Sequence, residues 1–476
     1  MNIALIAHIA VVVAMTVRLM LREDLSPSAR LAWIIVLILL PVLGTIVYLL
    51  FGEVDLGRKA RASQKSIHDE VQGSAGAFMG EAATIEGEIA PAFRPLFGYG
   101  ASINGFYPMM GNTAQLMTDA DETRARMITD IDAANDHVHV LYYIWLTDNT
   151  GTELAEAMIR AARRGVTCRV MADGLGSRGL IRSPLWTRMR EAGVHLAVAL
   201  PISQPIRTIL TSRLDMRNHR KITVIDGAIT YCGSRNSADP EFLPKAKYGP
   251  WVDIMLRLTG PVVAQNQLLF ASDWMRATGE PPGALCHPCP PATGGFPAQA
   301  MGHGPTERRG STPQLFATAL ACAREHVTIT TPYFVPDATV LEALCAAAHR
   351  GVRVTLILPQ RNDSWVVAAV SHSFYRRLLE AGCVIEEFTG GLLHAKTMTL
   401  DGIACLIGSS NIDLRSFDLN YENNILLQDA QIVRAVEARQ AEYIANSSRI
   451  ELADVAAWPH HRRIWNNAVA TIGPIL

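Results

Sequence analysis

The longest uninterrupted apolar run lies near the start of the chain. Leu31 to Phe51 (LAWIIVLILLPVLGTIVYLLF) is 21 residues without one charged side chain. At about 1.5 Å per residue, a helix of that length covers about 30 Å, the hydrocarbon thickness of a bilayer. Pro41 falls inside it, where membrane helices tolerate a kink. An earlier apolar stretch, Ile3 to Val17, contains His8 and reaches spanning length only by continuing to Leu21 with Arg18 snorkelling. A signal peptide would need a basic leading region, and only Met1 and Asn2 precede the apolar run. The pattern therefore predicts a membrane anchor over 1–55, with two transmembrane helices at about 3–21 and 31–51. Arg58, Lys59, Arg61 and Lys65 follow, which places the remainder in the cytoplasm by the positive-inside rule; in the short loop, Arg22 and Arg30 are offset by Glu23 and Asp24.

Beyond a connector at 56–112 the pattern changes to short β-branched runs alternating with helical stretches. His137 to Gly174 reads as strand, helix, Arg-Arg-Gly-Val, strand; His326 to Gln360 has the same order with His-Arg-Gly-Val at the same point. The order β-α-β predicts parallel strands joined by a crossover helix. A further helix is expected in each copy, at Leu185–Ala192 and Trp365–Ala381. Ile222–Ile225 and Thr397–Leu400 then read as strands entering an Asp-Gly turn, with return strands ending at Gly-Ser. Between the copies, Glu280 to Pro313 is rich in proline and glycine, which excludes helix and central strand, and it reads as a linker or surface loop. The expected fold is α/β: two tandem halves, 113–279 and 314–449, related by a pseudo-twofold axis, with a tail at 450–476.

Each half carries one conspicuous motif. HRKITVIDGAITYCGSRN (His219 to Asn236) and HAKTMTLDGIACLIGSSN (His394 to Asn411) share six residues at identical spacing: His219, Lys221, Asp226, Gly233, Ser234 and Asn236 match His394, Lys396, Asp401, Gly408, Ser409 and Asn411. At roughly one in twenty per position, each match arises by chance on the order of 10⁻⁷ to 10⁻⁸ per start point, so coincidence does not compete. Histidine can attack phosphorus or shuttle a proton near neutral pH. Lysine two residues on lies on the same strand face and offers a positive charge to a phosphate oxygen. The Gly-Ser-x-Asn turn adds close backbone approach, a hydroxyl and an amide. Two copies about one axis would supply a nucleophile on one side of a phosphodiester and an acid on the other.

Bulk properties narrow the setting. The chain is 49% hydrophobic with a formal net charge of −1, so whole-protein electrostatics give no case for a nucleic-acid partner. The eight cysteines are scattered and read mostly as reduced core thiols. Cys286-His-Pro-Cys289 is a single Cys-x-x-Cys in the proline-rich stretch and reads as part of a dispensable loop. There is no Gly-Lys-Ser/Thr phosphate loop and no zinc-ligand pattern, so no metal or cofactor is expected. Arg207, Arg213, Arg217, Arg220 and Arg235 gather around the first motif and would either collect anionic headgroups or pair internally. Ile464 to Leu476 spaces its apolar residues as a short membrane-facing or core-packed helix would.

The paired motifs resemble those of the phospholipase D superfamily. The N-terminal hairpin with NHRKITVIDG, LLHAKTMTLDG and RSFDLNYENN is similar to bacterial cardiolipin synthases in particular, over nearly the whole chain. The sequence departs from that pattern in its long linker and at Arg235, where an apolar residue is expected. The resemblance implies a metal-free phosphohistidine mechanism, with His219 as nucleophile and His394 as acid and then base. It implies that Lys221, Lys396, Asn236 and Asn411 hold phosphoryl oxygens with Ser234 and Ser409 assisting. Asp226 and Asp401 complete the catalytic motif, where the resemblance gives them a structural task. Asp253 (in WVDIML) and Glu422 (in NYENN) would orient the imidazoles, as carboxylates do at other histidine sites. The implied reaction joins two molecules of phosphatidylglycerol, an anionic phospholipid, into cardiolipin and glycerol at the bacterial inner membrane. Transfer to water or another alcohol uses the same residues. A nuclease of the superfamily and a non-enzymatic scaffold fit less well, given the apolar anchor and the two intact histidines.

Overall fold

The computed structural model describes residues 3–22, 25, 27–52, 66–67, 69–70, 73, 78–201, 215–285 and 294–472. The apolar N-terminal stretches form three helices, Ile3–Met20, Pro27–Leu39 and Pro41–Phe51. The span expected over 31–51 is therefore not one continuous helix. Leu40 leaves helical geometry (φ −123°, ψ 75°) and Pro41 opens a new helix, because proline lacks an N–H and its ring crowds the carbonyl four residues back. Among the described residues no helix is long and apolar enough to cross a membrane. Leu19, Trp33, Leu37 and Tyr48 bury one another where the helices meet, while Val13, Val17, Leu31, Ile38 and Leu43 face outward. Arg58, Lys59, Arg61 and Lys65 lie outside the described residues.

The rest of the chain is organised on one 16-stranded mixed sheet. Its centre is an antiparallel pair, Met109–Leu116 against Phe296–His303. Outward from the first strand come Met255–Thr259, Ile229–Gly233, Ile222–Ile225, His137–Tyr142, Thr167–Asp173 and His195–Ala199. Outward from the second come Asn420–Gln428, Ala404–Gly408, Thr397–Leu400, His326–Thr330, Arg353–Pro359 and Val384–Phe388. The two series match strand for strand about an axis between the central pair, and Ser447–Ile450 extends only the second. Both crossovers are as expected: helix Asn149–Arg163 joins parallel strands of the first half, and helix Ala338–His349 those of the second. Each buries one apolar stripe, Leu154, Ala155 and Met158 in the first and Val340, Leu341 and Leu344 in the second.

The boundaries drawn from composition need correction. The stretch 280–313 is not merely a linker, since it contains Phe296–His303, a fully buried central strand. Pro297 is tolerated because it sits where the register to Met109–Asn112 shifts, before pairing with the Asn420–Gln428 strand begins at Ala298. Within the connector at 56–112, helix Arg94–Asn104 buries Leu96 and Phe97 in the core of the second half. In the tail, helix His460–Ile472 packs Val469 on helix Trp365–Glu380. Six cysteines (Cys168, Cys232, Cys322, Cys345, Cys383 and Cys405) are buried free thiols, whereas Cys286 and Cys289 lie outside the described residues.

Candidate active site

Two short parallel pairings join the halves and place the histidines. Arg217–Asn218 pairs with Asn420–Tyr421, and Leu392–Leu393 pairs with Trp251–Val252. One residue further on each strand, His219 meets Glu422 and His394 meets Asp253. The backbone N–H of His219 donates to the Tyr421 carbonyl and that of His394 to the Val252 carbonyl, both at 2.8 Å. Nδ1 of His219 lies 2.8 and 2.9 Å from the two Glu422 oxygens, and Nδ1 of His394 lies 2.6 Å from Asp253 Oδ1. Each imidazole is thus held by a carboxylate from the opposite half. The spacing from motif to acid differs between halves because the first half carries the additional loop 243–248 between Asn236 and Asp253.

The serines are placed differently from expectation. Ser234 Oγ donates to Asp253 Oδ1 at 2.6 Å, and Ser409 Oγ donates to Glu422 Oε2. Their hydroxyls are committed to the orienting carboxylates rather than free for phosphoryl oxygens. Ser416, which the motif comparison missed, donates to Glu422 Oε1 at 2.9 Å and accepts from the Asn411 N–H at 3.1 Å. Its only sequence signal was its position in RSFDLNYENN. Asn236 Oδ1 accepts from the Ile144 N–H at 3.2 Å. Asn411 Oδ1 is buried with no hydrogen-bond partner among the described residues. Tyr143 lies edge-on to His219, with ring centroids 5.0 Å apart, and Trp251 lies 4.5 Å from His394.

Lys221 and Lys396 are buried, and each ammonium donates to the carbonyl of the histidine two residues before it, at 2.6 and 2.7 Å. Burial lowers the Lys221 pKa to about 8 and that of Lys396 to about 7, against the pull of Glu422 and Asp253. Burial also pushes His219 down to about 4, opposed by Glu422 and reinforced by Lys221 and Lys396. His394 is pushed down to about 4 by burial and Lys396, with Asp253 opposing and Lys221 adding. Burial opposes ionisation of Asp253 and Glu422, yet their histidine, lysine and serine neighbours hold both below the usual carboxylate range. Both directions favour ionised carboxylates beside neutral imidazoles in the free protein. Each imidazole feels the lysine of the other half, so the two motifs share one electrostatic environment.

Asp226 and Asp401 stand apart from this cluster, at the far ends of Ile222–Ile225 and Thr397–Leu400. Asp226 accepts from the backbone N–H groups of Asn135, Asp136 and His137, all at 2.9 Å. Asp401 accepts from those of Arg324, Glu325 and His326 at 2.8 to 2.9 Å. Both have φ of 51° and precede a glycine of positive φ, the central pair of a type I′ turn within a three-residue hairpin loop. They tie the hairpin to the neighbouring strand and do not touch the paired imidazoles. The arginines pair internally: Arg217 lies 3.6 Å from Asp173, Arg220 lies 2.8 Å from Asp273, and Arg235 donates to the Ala238 carbonyl. None of these three is free to gather headgroups; Arg207 and Arg213 lie outside the described residues.

Comparison with known proteins gives the family. The family model described as "Cardiolipin synthase, PLD-like domain" matches residues 127–264 and 316–443, one match in each half. A "Phospholipase_D-nuclease N-terminal" model matches residues 9–53. Cardiolipin synthase A of Edwardsiella ictaluri is 34% identical over all of this chain and 98% of its own length. That of Citrobacter koseri is 35% identical with the same coverage, and that of Yersinia pseudotuberculosis is 36% identical over 96% of this chain and 93% of its own. In fold, the chain is similar to the phosphatidylserine synthase of Haemophilus influenzae, with a TM-score of 0.60 at 15% identity, covering 81% of this chain and 100% of that one.

Proposed function

The chain belongs to the phospholipase D-type cardiolipin synthases, and on that premise we propose that it transfers a phosphatidyl group between two phosphatidylglycerol molecules, releasing glycerol. The observation that carries this is the pair of cross-held imidazoles. With each Nδ1 committed to a carboxylate, each Nε2 is left for chemistry.

His219 Nε2 attacks the phosphorus of the first lipid, and the bond to the glycerol oxygen breaks as His394 protonates that oxygen. A phosphatidyl group now sits on His219. The hydroxyl of a second phosphatidylglycerol enters and loses its proton to His394. Its oxygen attacks phosphorus and the P–N bond breaks, leaving cardiolipin. Lys221, Lys396, Asn236 and Asn411 hold the phosphoryl oxygens, while Ser234, Ser409 and Ser416 hold the carboxylates that orient the rings. In the free protein burial keeps His394 neutral; the negative charge of a bound phosphodiester offsets the two ammoniums and raises its pKa, so it gains its proton as substrate binds. One phosphodiester is exchanged for another, so no nucleotide is required, and no metal enters the scheme.

The outward apolar surface of the three N-terminal helices supports a membrane anchor, and the basic run Arg58, Lys59, Arg61 and Lys65 that follows it favours a cytoplasmic catalytic part. The test is to incubate purified protein with phosphatidylglycerol alone in EDTA. Cardiolipin and glycerol are expected. Phosphatidic acid would make it a hydrolase, and activity only after metal is restored would refute the mechanism.

A further inference from the structure

Large apolar side chains are rarely left exposed in clusters on a soluble surface. In the catalytic part, Trp365 is 64% exposed, Ile464 68% and Trp465 53%. The two tryptophan rings stack with centroids 5.7 Å apart and an interplanar angle of 27°. They come from different elements, the first turn of helix Trp365–Glu380 and the tail helix His460–Ile472. The surface continues into the loop 243–248 of the other half: Arg361 donates to the Lys247 carbonyl and Lys245 pairs with Asp363. That loop begins with Leu243, 74% exposed. A chain of rings leads inward from it, Phe242 stacked on Trp251 at 3.9 Å and Trp251 against His394 at 4.5 Å. The exposed apolar rim is therefore two aromatic residues from a catalytic imidazole.

Charge points to the kind of partner. Lys247 and Arg361 lie on the rim, and Arg462 and Arg463 sit on the tail helix just before Ile464 and Trp465. The whole chain carries a net charge of −1, so this basic excess is local. Tryptophan beside arginine and lysine is the composition of a membrane–water interface, where the ring sits at headgroup depth and the cations meet anionic phosphates.

We propose that the rim formed by Leu243, Trp365, Ile464 and Trp465 seats the catalytic part on an anionic bilayer and delivers lipid headgroups to the His394 side of the site. The proposal rests on the lipid-exchange reading above and adds to it a docking surface separate from the N-terminal helices. Trp365→Ser/Trp465→Ser and Leu243→Ser variants of the full chain test it, on long-chain phosphatidylglycerol in vesicles and on monomeric dihexanoyl phosphatidylglycerol. The double variant should lose about tenfold in vesicle turnover and Leu243→Ser less, with turnover of the monomeric lipid unchanged. Parallel losses on both substrates, or no loss on vesicles, would overturn it. Dissociation of an oligomer with vesicle turnover intact would assign the patch to a second copy of the chain and overturn it equally. If the unaltered protein turns over neither substrate, the lipid-exchange reading itself fails and the rim loses its ligand.

Discussion

The two halves hold the same six motif residues in the same register, but they surround their histidines differently. His219 sits between Asn218 and Arg220, which are both bonded to Asp273. Its carboxylate, Glu422, accepts from Ser409, Ser416 and Asn420. His394 sits between Leu393 and Ala395, both fully buried, and against Trp251. Its carboxylate, Asp253, has one hydroxyl donor, Ser234. The first site is over-determined by hydrogen bonds, which suits a nucleophile that must keep one orientation through a covalent intermediate. The second has apolar flanks and fewer hydrogen bonds, which suits a group whose proton affinity must change when a phosphate arrives.

The strongest way to break this assignment is to remove each imidazole. His219→Ala and His394→Ala should each cost at least about 10³-fold in turnover. A phosphatidyl ester with a good leaving group, such as p-nitrophenol, separates them, since departure then needs no acid. His394→Ala should still form the adduct, trapped and located by mass spectrometry, and His219→Ala should not. The reverse pattern would exchange the roles of the halves.

The cross-held carboxylates come next. Glu422→Gln and Asp253→Asn should each slow turnover by about 10²- to 10⁴-fold. Glu422→Gln should slow adduct formation even with the activated ester, whereas Asp253→Asn should spare that step. Equal effects on it would dissolve the distinction between the sites.

A smaller effect is expected from pH. The ammonium forms of Lys396 and Lys221 are lost as pH rises through about 7 and about 8, and with them the attraction for phosphate. KM for the lipid should therefore rise several-fold between about pH 7 and about pH 9, more than kcat falls, because bound phosphate raises both lysine values again. A flat KM across that range would show that the ammoniums do not bind substrate.

The smallest effect on chemistry is expected at the turn aspartates, where the halves are most alike. Asp226→Ala and Asp401→Ala each remove a carboxylate from three backbone amides and should lower stability by about 2 kcal/mol. The rate per folded molecule should stay within about threefold. Loss of rate at unchanged thermal stability would give these residues a direct part in the chemistry.

Much of this was legible along the chain. Strands Ile222–Ile225 and Thr397–Leu400, the crossover helices and the Asp-Gly turns follow from local periodicity and turn chemistry, which act over a few residues. The central strand Phe296–His303 was hidden because Pro297 and its glycine-rich surroundings read as a breaker. Only the register shift beside Met109–Asn112, set by a strand far away in the chain, makes room for that proline. The second apolar span misled in the opposite direction: it is apolar enough to read as one element, but Pro41 divides it.

The sequence alone determined that there are two halves, where the repeated histidines and lysines lie in each, and which strands and turns frame them, because repetition and local geometry are written in spacing. Which carboxylate serves which histidine was decided only by tertiary structure. His219 meets Glu422 and His394 meets Asp253 through parallel pairings of two residues each, too short and too distant in sequence to leave a periodic trace. The same contacts bury the lysines and imidazoles beside one another, and burial rather than residue type sets their proton affinities.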